Sequence, residues 1–175
     1  MKKIIGPALI LFLICFTVSL ALGVTNRLTE APIEEQRQKA LDLARQSVLP
    51  EAVSFEKLQA EGMDGYIGFD ADGGEVGYVF TETAKGYGGD VTAVIGLNTD
   101  GIVTGVSLSA PDETPGLGAN VATSSFESRF TGRSYAEPLV MKENISAVTG
   151  ATYSSKAAAL AVNRAFDDFK TVTGK

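Results

Sequence analysis

The chain has 175 residues and a formal net charge of −6, with no histidine and one cysteine, Cys15. The acidic balance argues against a nucleic-acid partner, and the lack of histidine removes the commonest general base and transition-metal ligand. One cysteine allows neither an internal disulfide nor a Cys-ligated iron–sulfur cluster built from this chain alone. A redox role would therefore require an organic cofactor.

The N-terminal segment is apolar. No charged residue occurs over residues 4–26, a run long enough to cross a bilayer. Lys2 and Lys3 precede this run and acidic residues follow it, so the positive-inside rule predicts a cytoplasmic N-terminus and an extracytoplasmic domain. A cleaved signal peptide is the alternative, but the run exceeds the ~7–15 residues of a signal core. We predict a transmembrane anchor over residues 1–27.

A second helical pattern follows the anchor over residues 29–49. Thr29 is placed to cap this helix and Pro50 to end it. The helix either continues from the anchor or bends away from it near Asn26. We assign residues 28–50 to a connecting helix.

Two β-hairpins come next. Strand-like runs at residues 66–69 and 76–80 flank an acidic turn, and runs at 91–97 and 102–108 flank an Asn-Thr-Asp-Gly turn. The acidic turn at 70–74 lacks the full set of calcium ligands, so we interpret it as a solvated turn.

Helical patterns at residues 124–130 and 154–169 complete the chain. The second carries an apolar stripe at helical spacing, which predicts packing against a core: Ala158, Val162, Ala165, Phe166 and Phe169. The fold class is therefore α+β, with one transmembrane helix followed by a single domain over residues 51–175 that contains antiparallel hairpins and packed helices.

The most informative motif is T-G-A-T-Y-S-S at residues 149–155, a glycine turn leading into the last helix. Backbone N–H groups at such a helix start suit an anion such as phosphate. On local geometry alone, an ordinary helix start capped by Ser154 or Ser155 is the alternative.

This motif resembles the flavinylation signature of the FMN-binding domain family, in which the threonine of G-A-T carries FMN through a phosphoester bond. The resemblance places the attachment on Thr152 and not on Thr149. G-Y-G-G at residues 86–89 and E-T-P-G-L-G at 113–118 occur in the order that the family shows. Ser146 stands where the family usually has an acidic residue. Over its whole length the chain resembles the G subunits of Rnf ion-translocating ferredoxin:NAD oxidoreductases, which are related to the C subunit of the sodium-pumping NADH:quinone oxidoreductase.

The resemblance implies a flavin pocket built from these three blocks, with FMN held covalently by Thr152. Leu117 is expected to lie on the flavin ring, Tyr87 to pack beside it, and Glu113 to accept a hydrogen bond from the ring or the ribityl chain. The other expected cofactor contacts are Thr149, Gly150, Ala151, Tyr153, Ser154, Thr114 and Gly116. Neither a metal site nor a catalytic residue is expected.

The resemblance also implies an electron carrier that does not turn over alone. Its expected partners are the other membrane, flavin and iron–sulfur subunits of an Rnf complex, and a flavin transferase that attaches the cofactor. Two alternatives stay open: a C-type subunit of the sodium-pumping enzyme, which usually carries extra length, and an anchored assembly module without a cofactor.

Overall fold

The computed structural model describes residues 2–60 and 62–175, with the side chains of residues 6–60 and 62–175. Met1, the first residue of the predicted anchor, lies outside the described residues. The chain divides into two compact units, of which the first ends at Leu41 and the second is Asp42–Lys175.

The first helix, α1, runs without interruption over Lys2–Val48. Of the two alternatives for the connecting helix, the continuous one is observed. Our prediction that Thr29 caps a new helix is wrong: its hydroxyl donates to the backbone oxygens of Thr25 at 3.0 Å and Asn26 at 3.2 Å, as a threonine does in a helix interior.

Much of α1 is a candidate membrane span. The helical stretch Gly6–Val48 contains an 18-residue window with a mean hydropathy of 2.5, none of which is buried. Large apolar side chains such as Leu11, Phe12 and Leu20 are exposed. The helix is thus long enough and apolar enough to cross a bilayer.

The second unit is built on one antiparallel sheet whose five strands lie in chain order. The strands are β1 (Ser54–Lys57), β2 (Gly65–Phe69), β3 (Glu75–Lys85), β4 (Asp90–Asn98) and β5 (Val103–Ser109). Both predicted hairpins are confirmed as β2–β3 and β4–β5. We did not predict β1, because its four largely exposed residues show no alternation of apolar and polar side chains.

One face of the sheet is covered by the last helix, α3 (Thr152–Thr173), which packs on β3 and β4. The predicted apolar stripe of this helix is buried in the core, as expected. The short helix α2 (Ser124–Glu127) ends before the predicted boundary, and the aromatic rings of Phe126 and Phe130 meet edge to face with centroids 5.2 Å apart. Helix α3 is followed by its C-cap residue Gly174, whose φ of 68° is the left-handed conformation typical of a glycine that ends a helix.

The end of α1 packs on the opposite face of the sheet, at a position where β4 and β5 carry glycines. The hydroxyl of Thr104 donates to the backbone oxygen of Val48. A Cβ atom at Gly96 would collide with that oxygen, and one at Gly105 would lie 3.0 Å from the Cα atom of Val48. Side chains at these positions would push the helix end away, so the glycines permit close packing.

Candidate functional site

The turn before α3 leaves the start of the helix open. Gly150 has a φ of 80°, a conformation that glycine adopts without steric cost, and Ala151 is the N-cap. Because alanine has no side-chain acceptor, the first N–H groups of α3 have no side-chain cap. Our alternative that Ser154 or Ser155 caps the helix is wrong, since both lie buried inside it. Thr152 is the first helical residue and is exposed.

A buried carboxylate ties two further loops together. Glu113 is only 3% exposed, and its Oε1 atom accepts the backbone N–H of Tyr87 at 2.7 Å. A Cβ atom at Gly86 would collide with Oε1, and one at Gly118 would collide with Oε2. Glycine at these two positions thus makes room for the carboxylate between the G-Y-G-G turn and the E-T-P-G-L-G loop.

These loops also meet the turn before α3. A Cβ atom at Gly150 would lie 3.2 Å from Cδ2 of Leu117. The rings of Tyr87 and Tyr153 have centroids 6.0 Å apart and planes inclined by 47°. The three blocks that are distant in sequence are therefore neighbours in the folded chain.

A cleft of about 400 Å³ opens between the three blocks, a volume within the range of small-molecule sites. Its lining residues are Tyr87, Glu113, Thr114, Leu117, Gly118, Gly150, Ala151, Thr152, Tyr153 and Ser154. All of these except Gly118 were predicted from the sequence as cofactor contacts, so the structure brings most of the predicted site together.

Two predicted contacts lie outside this lining. Thr149 is exposed and directly precedes Gly150. Gly116 has a φ of 76°, which serves the turn of its own loop. Gly118 belongs to the E-T-P-G-L-G motif but was not predicted as a contact. The structural role of Ser155 was also missed, because its burial depends on which face of α3 meets the core.

The charges near the start of α3 suit an anionic group. Among the residues that the structure describes, no group of three or more His, Cys, Asp or Glu could hold a metal. Glu113 lies at the wall of the cleft, while the Lys156 ammonium lies 6.0 Å from the ring centroid of Tyr153. A cation near the open helix start favours an anionic group there.

Residues 86–167 match the model of the FMN-binding domain family. The G subunit of the Na(+)-translocating ferredoxin:NAD(+) oxidoreductase complex of Acetobacterium woodii is 34% identical over 197 residues, covering 98% of this chain and 94% of that protein. The G subunit of the proton-translocating complex of Clostridium ljungdahlii is 31% identical over 166 residues, covering 91% and 88%. This chain belongs to the family of Rnf G subunits. Its cofactor is therefore FMN.

A solved structure agrees with this assignment at the level of the fold. The crystal structure of Shewanella oneidensis NqrC matches with a TM-score of 0.54 at 19% identity, covering 72% of this chain and 73% of that one. The two chains therefore share a fold over the matched part.

The cleft fits FMN. An exposed hydroxyl and an uncapped helix start lie together at Thr152, where a phosphate would be solvated. Leu117, Tyr87 and Tyr153 supply apolar and aromatic surface for a flat ring, and the volume of about 400 Å³ is adequate for it.

Proposed function

We propose that this chain is the membrane-anchored flavin carrier of an Rnf-type ion-translocating oxidoreductase complex, with FMN joined covalently to Thr152. One observation carries the proposal. Thr152 is the exposed first residue of α3 and lines the cleft at a helix start that has no side-chain cap. A phosphoester there would keep one negative charge, which the N–H groups and the helix dipole stabilise.

The same geometry favours Thr152 over Thr149. Thr149 precedes the left-handed Gly150 and does not line the cleft, whereas Thr152 does. A flavin attached through Thr152 would have the aromatic and apolar surface of Leu117 and Tyr153 within the same cleft.

The protein's task is to hold and tune the cofactor. When bound, FMN supplies the electron-accepting and electron-donating chemistry. Glu113 and Gly118 shape the buried wall, and Leu117 lies at the exposed side. With no histidine in the chain, the residues of the cleft suit an electron relay within a larger assembly.

The charges that flank the apolar run support an orientation in the membrane. The two lysines that precede the apolar run favour a cytoplasmic N-terminus, and the FMN domain is then extracytoplasmic. The relatives are named as subunits of ion-translocating complexes, which supports other subunits of such a complex as partners. We propose that these include membrane, flavin and iron–sulfur subunits, and that a flavin transferase attaches the cofactor.

The attachment is tested by comparing two threonine variants in a host that has a flavin transferase. Thr152→Ala should abolish flavin fluorescence of the denatured band and the FMN mass increment of the intact chain. Thr149→Ala, the matched control, should retain both. Covalent FMN on the Thr152→Ala chain would rule out this attachment site, and full electron transfer by an unflavinylated complex would favour the assembly-module alternative.

A further inference from the structure

Ser155 closes a ring of hydrogen bonds beneath the turn that leads to Thr152. Its side chain is wholly buried, and its Oγ atom accepts the backbone N–H of Val148 at 3.0 Å. The N–H of Ser155 donates to the backbone oxygen of Ala151 at 2.8 Å, and the N–H of Ala151 donates to that of Val148 at 3.0 Å. These bonds fix the segment before the turn against the first turn of α3.

More distant side chains hold the remainder of the incoming segment. Nη1 of Arg129 donates to the backbone oxygen of Ser146 at 2.7 Å, and Nη2 of Arg133 donates to that of Asn144 at 2.8 Å. At the start of this segment, the side-chain amide of Asn163 on α3 accepts the N–H of Leu139 at 2.8 Å and donates to its C=O at 3.0 Å.

Among the side chains that hold the incoming segment, that of Ser155 is the nearest to Thr152 in sequence.

We propose that Ser155 is a positioning residue for cofactor attachment, because its hydroxyl holds the turn in the conformation that presents Thr152 Oγ1 to a flavin donor. This inference rests on the proposed function. It assigns to Ser155 a role other than helix capping, since the N–H that it binds belongs to Val148, ahead of the N-cap Ala151.

The transfer requires an activated donor. With a flavin dinucleotide, the phosphoanhydride bond breaks, a bond forms between Thr152 Oγ1 and the FMN phosphorus, the nucleoside monophosphate leaves, and the threonine proton is released. No group is oxidised or reduced. An attacking oxygen must be held close to the phosphorus and in line, so a displaced turn slows the reaction even when the fold persists.

The test uses the full chain in detergent micelles with flavin adenine dinucleotide and a flavin transferase. The initial rate of FMN addition is followed by intact mass, and hydrogen exchange is measured at the Val148 amide. Ser155→Ala removes the hydroxyl, and Ser155→Thr retains it. Asn163→Ala is the matched control, because it removes two hydrogen bonds from the same incoming segment far from Thr152.

We expect Ser155→Ala to be modified roughly tenfold more slowly, with a similar rise in Val148 exchange, as the loss of one buried hydrogen bond implies. Ser155→Thr should recover rate and protection together. Asn163→Ala should lower the melting temperature and keep the parent rate.

Two results would overturn the positioning role. One is modification of Ser155→Ala at the parent rate, and the other is slowing of Asn163→Ala in step with its lost stability. If the parent chain itself acquires no FMN at Thr152, the proposed function fails as well. If the parent chain and Ser155→Ala acquire FMN at the same rate, only the role proposed for Ser155 is ruled out, and the proposed function stands.

Discussion

The carboxylate of Glu113 and the backbone N–H of Tyr87 form a 2.7 Å hydrogen bond between residues 26 positions apart. This bond joins the G-Y-G-G turn to the E-T-P-G-L-G loop and thereby forms one wall of the cleft that we propose for the flavin. Since Oε1 is engaged by Tyr87, the hydrogen bond that we expect from FMN would fall to Oε2, which lies beside Gly118.

Replacing Glu113 by alanine should both destabilise the domain and disturb the flavin. The N–H of Tyr87 would lose its bond to the buried Glu113 side chain, which lowers the free energy of unfolding by about 1–3 kcal/mol. Glu127→Ala is the matched control, since Oε1 of Glu127 accepts the N–H of Leu108 at the same 2.7 Å, away from the cleft. Thermal unfolding should show a similar loss of stability in both variants, while only Glu113→Ala should shift the flavin absorption. A shift of equal size in both variants would contradict the assignment.

Leu117→Ala should leave FMN attached and change its environment. The side chain of Leu117 lines the cleft and is 51% exposed, whereas Leu160 on α3 is 48% exposed and lies outside the lining. As surface substitutions, Leu117→Ala and the control Leu160→Ala should each change stability by no more than about 0.5 kcal/mol. Spectroelectrochemical titration should find an altered flavin spectrum or potential in Leu117→Ala alone. If the flavin spectrum and potential of Leu117→Ala equal those of the parent protein, the loop that carries Leu117 does not contact the flavin.

The strand–helix interface contains a carboxyl group that titrates near neutrality. Burial raises the pKa of Glu82 from 4.5 to about 7, and the hydrogen bond and negative charge of Asp168 on α3 add to the rise. The charge of Arg164 opposes the rise and that of Asp64 assists it. The folded domain therefore holds a proton over this pH range that the unfolded chain releases.

Stability should accordingly fall as pH rises. Between pH 4.5 and about 7 the folded state binds more protons than the unfolded state, so the free energy of unfolding decreases through this window and levels off above it. Glu82→Gln should remove this slope in melting temperatures measured over a pH series. Glu143→Gln, at an exposed site, should keep it. A slope that survives in Glu82→Gln would assign the titration to another group.

The orientation in the membrane is open to chemical labelling. Ala71 lies in the exposed turn between β2 and β3, and Cys15 is the chain's one cysteine. In a Cys15→Ala background, Ala71→Cys should react with an impermeant thiol reagent in intact cells, because the charge asymmetry predicts that this turn lies outside the cytoplasm. Labelling confined to lysed cells would reverse the orientation.

The hairpins and the apolar stripe on α3 could be predicted because they are specified locally, by the spacing of apolar residues and by the residue types in the turns. Alternation around the Asn98–Gly101 turn was sufficient for β4 and β5, and apolar spacing was sufficient for the buried face of α3. β1 could not be predicted because it is stabilised by pairing with β2, which a local pattern does not encode. The cap at Thr29 was wrongly predicted because the helix simply continues through a residue type that also begins helices.

The sequence motifs predicted which segments form the site, but they did not predict the hydrogen bonds that hold those segments in place. The three blocks identified which segments meet, since their residues line one cleft. No sequence pattern indicated that Glu113 would bond the Tyr87 N–H or that Ser155 would bond the Val148 N–H. Such side-chain-to-backbone bonds depend on the tertiary path of the chain.

The strand order carries a consequence for the timing of assembly. Because β1 to β5 pair in chain order, each strand finds its partner in the segment synthesised just before it. The apolar face of the sheet nevertheless stays exposed until the 22 residues of α3 pack on it, because Phe166 and Phe169 of that helix complete the core. Thr152 opens that same helix, so the proposed flavin acceptor reaches its place in the cleft only once α3 has packed on the sheet. Loading of FMN at Thr152 would then mark chains in which the sheet and its covering helix have come together.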